Sequence, residues 1–166
     1  MKLKFMTLFL LSLFGCSKNK LFISSNNWFK LYYPSHWSQF VEDDGTYLFF
    51  DNTNWKGNLR ITAMRFPSMD PLNRKNKIDE LLLKEYSRFQ GSKWIIIKDY
   101  KSLHYTREFK ENDDLLLIHT WFINIDKTLF HCSFTINKSK VEDKDVGIEL
   151  KHVVKTLESI QLINAL

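Results

Sequence analysis

A two-residue apolar period recurs on both sides of Asp126-Lys127, in Leu117, Trp121 and Ile123 before it and Phe130, Cys132 and Phe134 after it. Leu115 to Ile125 and Thr128 to Ile136 both carry the two-residue side-chain period of a strand, and Asp126-Lys127 between them reads as a two-residue turn. With that turn, Ile125 faces Thr128, Ile123 faces Phe130, Trp121 faces Cys132 and His119 faces Phe134. These residues share one face, so the register predicts that this face lies on the core. Trp94 to Asp99 and Leu103 to Lys110 read as two earlier strands, with Glu111 to Asp114 turning into the next. Together they predict an antiparallel meander.

The N-terminal half predicts shorter elements. Trp28 to Tyr33 is an aromatic strand stopped by Pro34, and Pro34-Ser35-His36-Trp37 is a turn. Gln39 to Glu42 and Thr46 to Asp51 pair around Asp43-Asp44-Gly45, where Asp-Gly accepts positive φ. Asn58 to Phe66 puts Leu59, Ile61 and Ala63 on one face and Arg60 and Thr62 on the other. Residues 67–77 read as a loop with two prolines. Ile78, Leu81, Leu82, Tyr86 and Phe89 then fall at helical spacing. Asn76 is the expected N-cap, with Asp79 and Glu80 in the first turn and Gly91 as the stop. A second helix is expected over Asp145 to Glu158, striped by Leu150, Val153, Val154 and Leu157. Ile160 to Ile163 reads as a short closing strand. The predicted class is α+β: one antiparallel sheet of about six to eight strands packed with two main helices.

The first residues follow a different grammar. Met1 to Lys4 is a basic head, and Phe5 to Phe14 is an almost unbroken apolar run. That run is shorter than the roughly 20 residues a membrane span needs, and its form is that of a secretory leader. The expected organisation is a leader over 1–15, a polar tether over 16–27 and one domain over 28–163. Leu13-Phe14-Gly15-Cys16 resembles the lipobox of bacterial lipoproteins, with Phe14 bulkier than the usual residue at that position. The resemblance implies that Cys16 carries acyl chains. The protein would then face the periplasm or the cell surface from a cell-envelope membrane, because two or three chains anchor durably where one does not.

Composition narrows the function. The net charge is +5, and two of the positive charges, Lys2 and Lys4, sit in the leader. The remaining balance is too mild to argue for nucleic acid. The chain has two cysteines. If Cys16 is acylated, only Cys132 remains, which leaves no intrachain disulfide and no cysteine pair for zinc. Cys132 alternates with Phe130, Phe134 and Ile136, which marks it as a small core residue rather than a nucleophile.

The histidines are His36, His104, His119, His131 and His152. None pair at i, i+4, and no His-Glu-x-x-His helix motif occurs. His104 and His119 would meet across the meander, without a placed carboxylate. Asp43-Asp44 and Asp113-Asp114 sit in turns, where Asp is expected for local hydrogen bonding. No catalytic residue, metal site or cofactor is expected. Trp55, on a polar loop, is the best candidate for a partner contact, since Trp is enriched at binding hot spots. Its alternative is to fold back onto the hairpin. Arg74, Lys75 and Lys77 form a small basic cluster that either touches anionic headgroups or is simply solvated.

Phe29-Lys30-Leu31-Tyr32-Tyr33-Pro34-Ser35-His36-Trp37 and Leu157-Glu158-Ser159-Ile160, in this order of elements, resemble the PsbP-like (Mog-type) fold. The likeness spans Trp28 to Ile163. It gives Pro34 and Trp37 folding roles. Members of that fold serve mostly as non-enzymatic accessory subunits, Ran-binding factors, secretion chaperones and bacterial lipoproteins. The resemblance therefore implies a binding or accessory module with a protein partner. The narrower expectation is immunity against a toxin delivered to the periplasm. An envelope hydrolase is the competing class.

Overall fold

The computed structural model describes residues 19–66 and 69–163. The leader, Cys16 and the first part of the expected tether lie outside them.

The meander forms as its alternation predicts. Strands β1 (Asn19–Ile23), β2 (Phe29–Pro34), β3 (Ser38–Val41), β4 (Tyr47–Phe50) and β5 (Asn58–Arg65) precede helix α1 (Pro71–Arg88). Strands β6 (Lys93–Ile97), β7 (Tyr100–Glu111), β8 (Asp114–Ile125) and β9 (Thr128–Asn137) follow it. Helix α2 (Lys144–Glu158) and strand β10 (Gln161–Leu162) close the described chain. Trp121 pairs with Cys132, Ile123 with Phe130, His119 with Phe134 and Ile125 with Thr128. Asp126 takes a positive φ of 49° in the two-residue turn. Asp tolerates that region better than most residues.

Seven strands form one antiparallel sheet in the order β3-β4-β5-β9-β8-β7-β6. A second sheet has the order β1-β2-β10. The fold is α+β, as expected, but its strands divide into two sheets rather than one. The small sheet and α2 cover one face of the large sheet. There Phe22, Phe29, Leu31 and Tyr33 meet Phe49, Ile61, Phe130, Cys132 and Phe134, along with Val146, Val153 and Leu157 of α2. Phe29 packs edge-on to Phe130 at 5.1 Å. Trp37 is buried, as the Pro34-to-Trp37 turn requires. Helix α1 covers part of the opposite face, where Ile78 and Leu82 pack on Leu103, Tyr105, Phe122 and Leu129. Adjacent residues of β8 and β9 therefore feed different cores, one on each side of the sheet.

Two expectations need correction. Within the expected tether, Asn19–Ile23 is a strand paired with β2, and Phe22 is buried. Leu21 and Ile23 point outward and are half-exposed, so a single buried side chain gave the strand little signature. Helix α1 begins at Pro71 rather than after Asn76. Asp70 is its N-cap and accepts from the amides of Leu72 and Asn73, each at 3.1 Å. Proline at the first helical position loses no needed hydrogen bond and is preset in φ. Pro71 thus starts the helix instead of breaking it. Asp79 and Glu80 lie beyond the first turn, which holds no acidic residue. Among the described residues, no helix is long and apolar enough to cross a membrane.

Candidate functional site

Beyond α1, the same sheet face continues with no covering element among the described residues, and its side chains form rows across four strands. Arg60 of β5 lies beside Ser133 of β9, then Thr120 of β8, then Tyr105 of β7. The next row runs Asn58, Thr135, Ile118, Arg107. Helix α1 raises one wall with Glu85, Arg88 and Phe89, and the β3–β4 hairpin raises the other with Glu42, Asp44 and Thr46. The resulting concavity is about 600 Å³. A second hollow of about 460 Å³ shares Arg60, Arg107, Ile118 and Thr135 with it and extends to Trp55 and Phe109. The two make one groove, with a mixed-charge floor and two half-exposed aromatic side chains at one end.

Several of its charges are already engaged. Arg60 pairs with Glu42 at 2.8 Å. The Tyr105 hydroxyl donates to Glu85 Oε2 at 3.1 Å. Burial, followed by the neighbouring Glu85 carboxylate, pushes the Tyr105 phenol up to about 12, so it stays a donor. Hydrogen bonding to the Thr46 amide holds the Asp44 carboxyl below its usual range. His131 stacks on Phe122 at 4.7 Å, and burial lowers its pKa, which favours the neutral ring. Arg107 is exposed and makes no ion pair among the described residues. It is the cation in the groove best placed to meet a partner.

Of the expected contact residues, Trp55 lies in the groove and is 44% exposed. Its loop ends at Gly57, whose φ of +149° favours glycine. A Cβ there would meet Phe134 Cζ at 2.5 Å and the Thr135 carbonyl at 2.7 Å. Only glycine seats this loop against β9. Arg74, Lys75 and Lys77 are not loop residues: they lie on the first two turns of α1. The C-terminal end of that helix lines the groove, so the basic cluster sits apart from it. Arg60 and Arg107 were missed as site residues because they are distant in sequence. Only the strand register brings them to adjacent rows.

On the other face, Cys132 is fully buried, and burial pushes its thiol strongly up. His104 and His119 do meet, stacked at 5.8 Å beside Trp121. Among the described residues, one group brings three potential metal-binding side chains within reach of one another: His36, Glu149 and His152, on the α2 side of the molecule. The pattern Glu149-Leu150-Lys151-His152 was the available sequence signal. A Glu-x-x-His spacing puts both side chains on one helix face.

Comparison with known proteins supports the fold. None of the curated proteins matches the chain. A crystal structure from Bacteroides thetaiotaomicron VPI-5482 is similar at 24% identity, with a TM-score of 0.69 over 87% of this chain. The chain spans about half, 48%, of that structure. LpqN, involved in cell envelope biogenesis of Mycobacterium tuberculosis, is similar at 10% identity and a TM-score of 0.54, covering 89% of this chain and 91% of its own. A cyanobacterial PsbP from Synechocystis sp. PCC 6803 aligns at 10% identity and a TM-score of 0.45, over 90% of this chain and 95% of its own. The profile of one family, the domain of unknown function DUF3805, matches residues 17–161, and the chain belongs to that family.

Proposed function

We propose that this protein is a lipid-anchored, non-enzymatic binding module of the cell envelope, and that a protein partner docks in the groove beside α1. The uncovered sheet face carries this reading. Core strands of a well-packed domain here present Arg60 and Arg107 to solvent, with Ser133 and Thr135 half-buried between them and Trp55 and Phe109 framing one end. Arginine and aromatic side chains on a concave surface are what interface centres are enriched in. The leader grammar and Cys16 supply the anchor, and LpqN, which is similar in fold, is involved in cell envelope biogenesis. Immunity against a periplasm-delivered toxin is the narrower form of this reading. The groove's mixed charge suits a folded protein partner better than a uniform polyanion.

The test is site-specific photo-crosslinking in cells producing the full chain. A crosslinker at Trp55 or Thr135 should trap one discrete partner in the envelope fraction. A crosslinker at exposed Lys151 on α2 should not. Arg107→Glu should abolish the adduct while leaving the melting temperature unchanged. Equal labelling from both faces, or an adduct indifferent to Arg107→Glu, overturns the groove as the docking site. Mass spectrometry of the mature N-terminus tests the anchor: an unmodified Cys16 overturns it.

A further inference from the structure

Helix α2 carries a carboxylate in its buried stripe. Glu149 lies between Val146 and Val153 and is 2% exposed. An apolar side chain would be the stabilising choice there, since a buried charge must be compensated. Its Oε1 accepts a 2.6 Å hydrogen bond from Trp37 Nε1. Its Oε2 faces two histidines. His152 Nδ1 is 3.3 Å away, one helical turn along α2, and His36 Nε2 is 3.9 Å away on the turn between β2 and β3. No lysine or arginine pairs with Glu149 among the described residues. All three ligand atoms lie within 4.8 Å of one another.

We propose that Glu149, His152 and His36 form a binding site for a divalent transition metal of the zinc class. Two imidazole nitrogens and one carboxylate oxygen make a borderline donor set. Zinc, nickel and copper favour such a set over magnesium and calcium, which want oxygen throughout. Zinc bonds of about 2.0–2.2 Å place tetrahedral ligand atoms roughly 3.4 Å apart. The Glu149–His152 edge already has that spacing. His36 has to close on Glu149 by about half an ångström, and its side chain, 42% exposed on a turn, has room to do so. Trp37 orients the carboxylate from behind, the outer-shell hydrogen bond that ligating groups usually receive. Three protein ligands leave a fourth position for water. His152 also borders a cavity of about 130 Å³, large enough for several waters. The metal would supply a counter-charge to Glu149 and tie α2 to the β2–β3 turn. The site lies apart from the groove and does not depend on the docking reading.

The test is calorimetric titration of the full chain in detergent with Zn²⁺, with Mg²⁺ as the control metal. Zinc should bind one to one and raise the melting temperature, and magnesium should do neither. His36→Asn and His152→Gln each remove one ligand without emptying the core, so both variants should fold. Each should weaken zinc binding by about tenfold or more, the scale of losing even an outer-shell partner. His104→Asn, at the other histidine pair, should leave binding unchanged. Cobalt should give the visible bands of a tetrahedral site, and His152→Gln should abolish them. No saturable zinc binding, binding that survives both ligand variants, or binding lost with His104→Asn overturns the proposal.

Discussion

The indole of Trp37 donates its Nε1 hydrogen to the buried carboxylate of Glu149 across 112 residues of sequence. One contact thus joins the turn after β2 to the middle of α2. Hydrogen bonds to charged groups contribute roughly 1.5–3 kcal/mol, and an abandoned buried acceptor costs on the same scale. Trp37→Phe keeps most of the aromatic volume and removes the donor. In the presence of a chelator it should destabilise the domain by about 2–3 kcal/mol. A denaturant double-mutant cycle with Glu149→Met, which keeps the length and removes the acceptor, should return a coupling energy; additive costs would mean that the contact contributes nothing of its own.

Trp121 is 3% exposed and Trp55 is 44% exposed. Emptying the Trp121 site should cost about 3–5 kcal/mol, a large share of a typical 5–15 kcal/mol total. Trp55→Ala should leave the melt within about 0.5 kcal/mol of the parent, as surface substitutions do. Denaturant melts of both variants check the pair. A Trp55 cost approaching that of Trp121 would show that the loop side chain belongs to the packing rather than to the groove.

Cys132 has no exposed surface, and burial raises its thiol pKa. A thiol reagent should modify it only at the rate of unfolding. The measurement is labelling of Cys16→Ser protein across a denaturant series. Rapid modification of the native chain would return Cys132 to the list of reactive groups.

The stacked pair His104 and His119 gives the fold an acid-sensitive element. Burial, then His119, then Lys93, lowers His104 from 6.5 to about 4. Burial and Lys93 lower His119 as well. The unfolded chain therefore takes up these protons first as the pH drops. The stabilisation is fully present above about pH 6.5 and is lost as pH falls towards 4. Melts of the parent should weaken across that window, and His104→Asn should flatten the slope. An unchanged slope in the variant would place the sensitivity elsewhere.

How much of this could be read from the residues follows from where the pattern was strong. The β8–β9 register was readable because Trp121, Ile123 and Ile125 in one strand and Phe130, Cys132 and Phe134 in the other recur every second residue on either side of a two-residue turn. Strand β1 was not, because Leu21 and Ile23 face outward and Phe22 alone is buried. The start of α1 is hidden because two prolines in a polar stretch read as loop, whereas Asp70-Pro71 is a capping pair. Trp55 stood out as an aromatic among polar neighbours. Arg60 and Arg107 did not, since each is an ordinary outward charge until the sheet sets them side by side. The His36–Glu149–His152 group lies half in a helix spacing and half in a distant turn, so only folding assembles it.

Strand β2 lies between β1 and β10, with Lys30 paired to both Ile23 and Gln161. The Ile163 amide also donates to the Trp28 carbonyl. The small sheet is therefore stitched from the two ends of the described chain. Until residue 162 has been synthesised, β2 lacks one neighbour, and α2, the lid of the larger core, is only just complete. Pairings of such long sequence separation form late and slowly. A nascent chain of this protein thus cannot complete its small sheet until nearly all of the described residues have been synthesised.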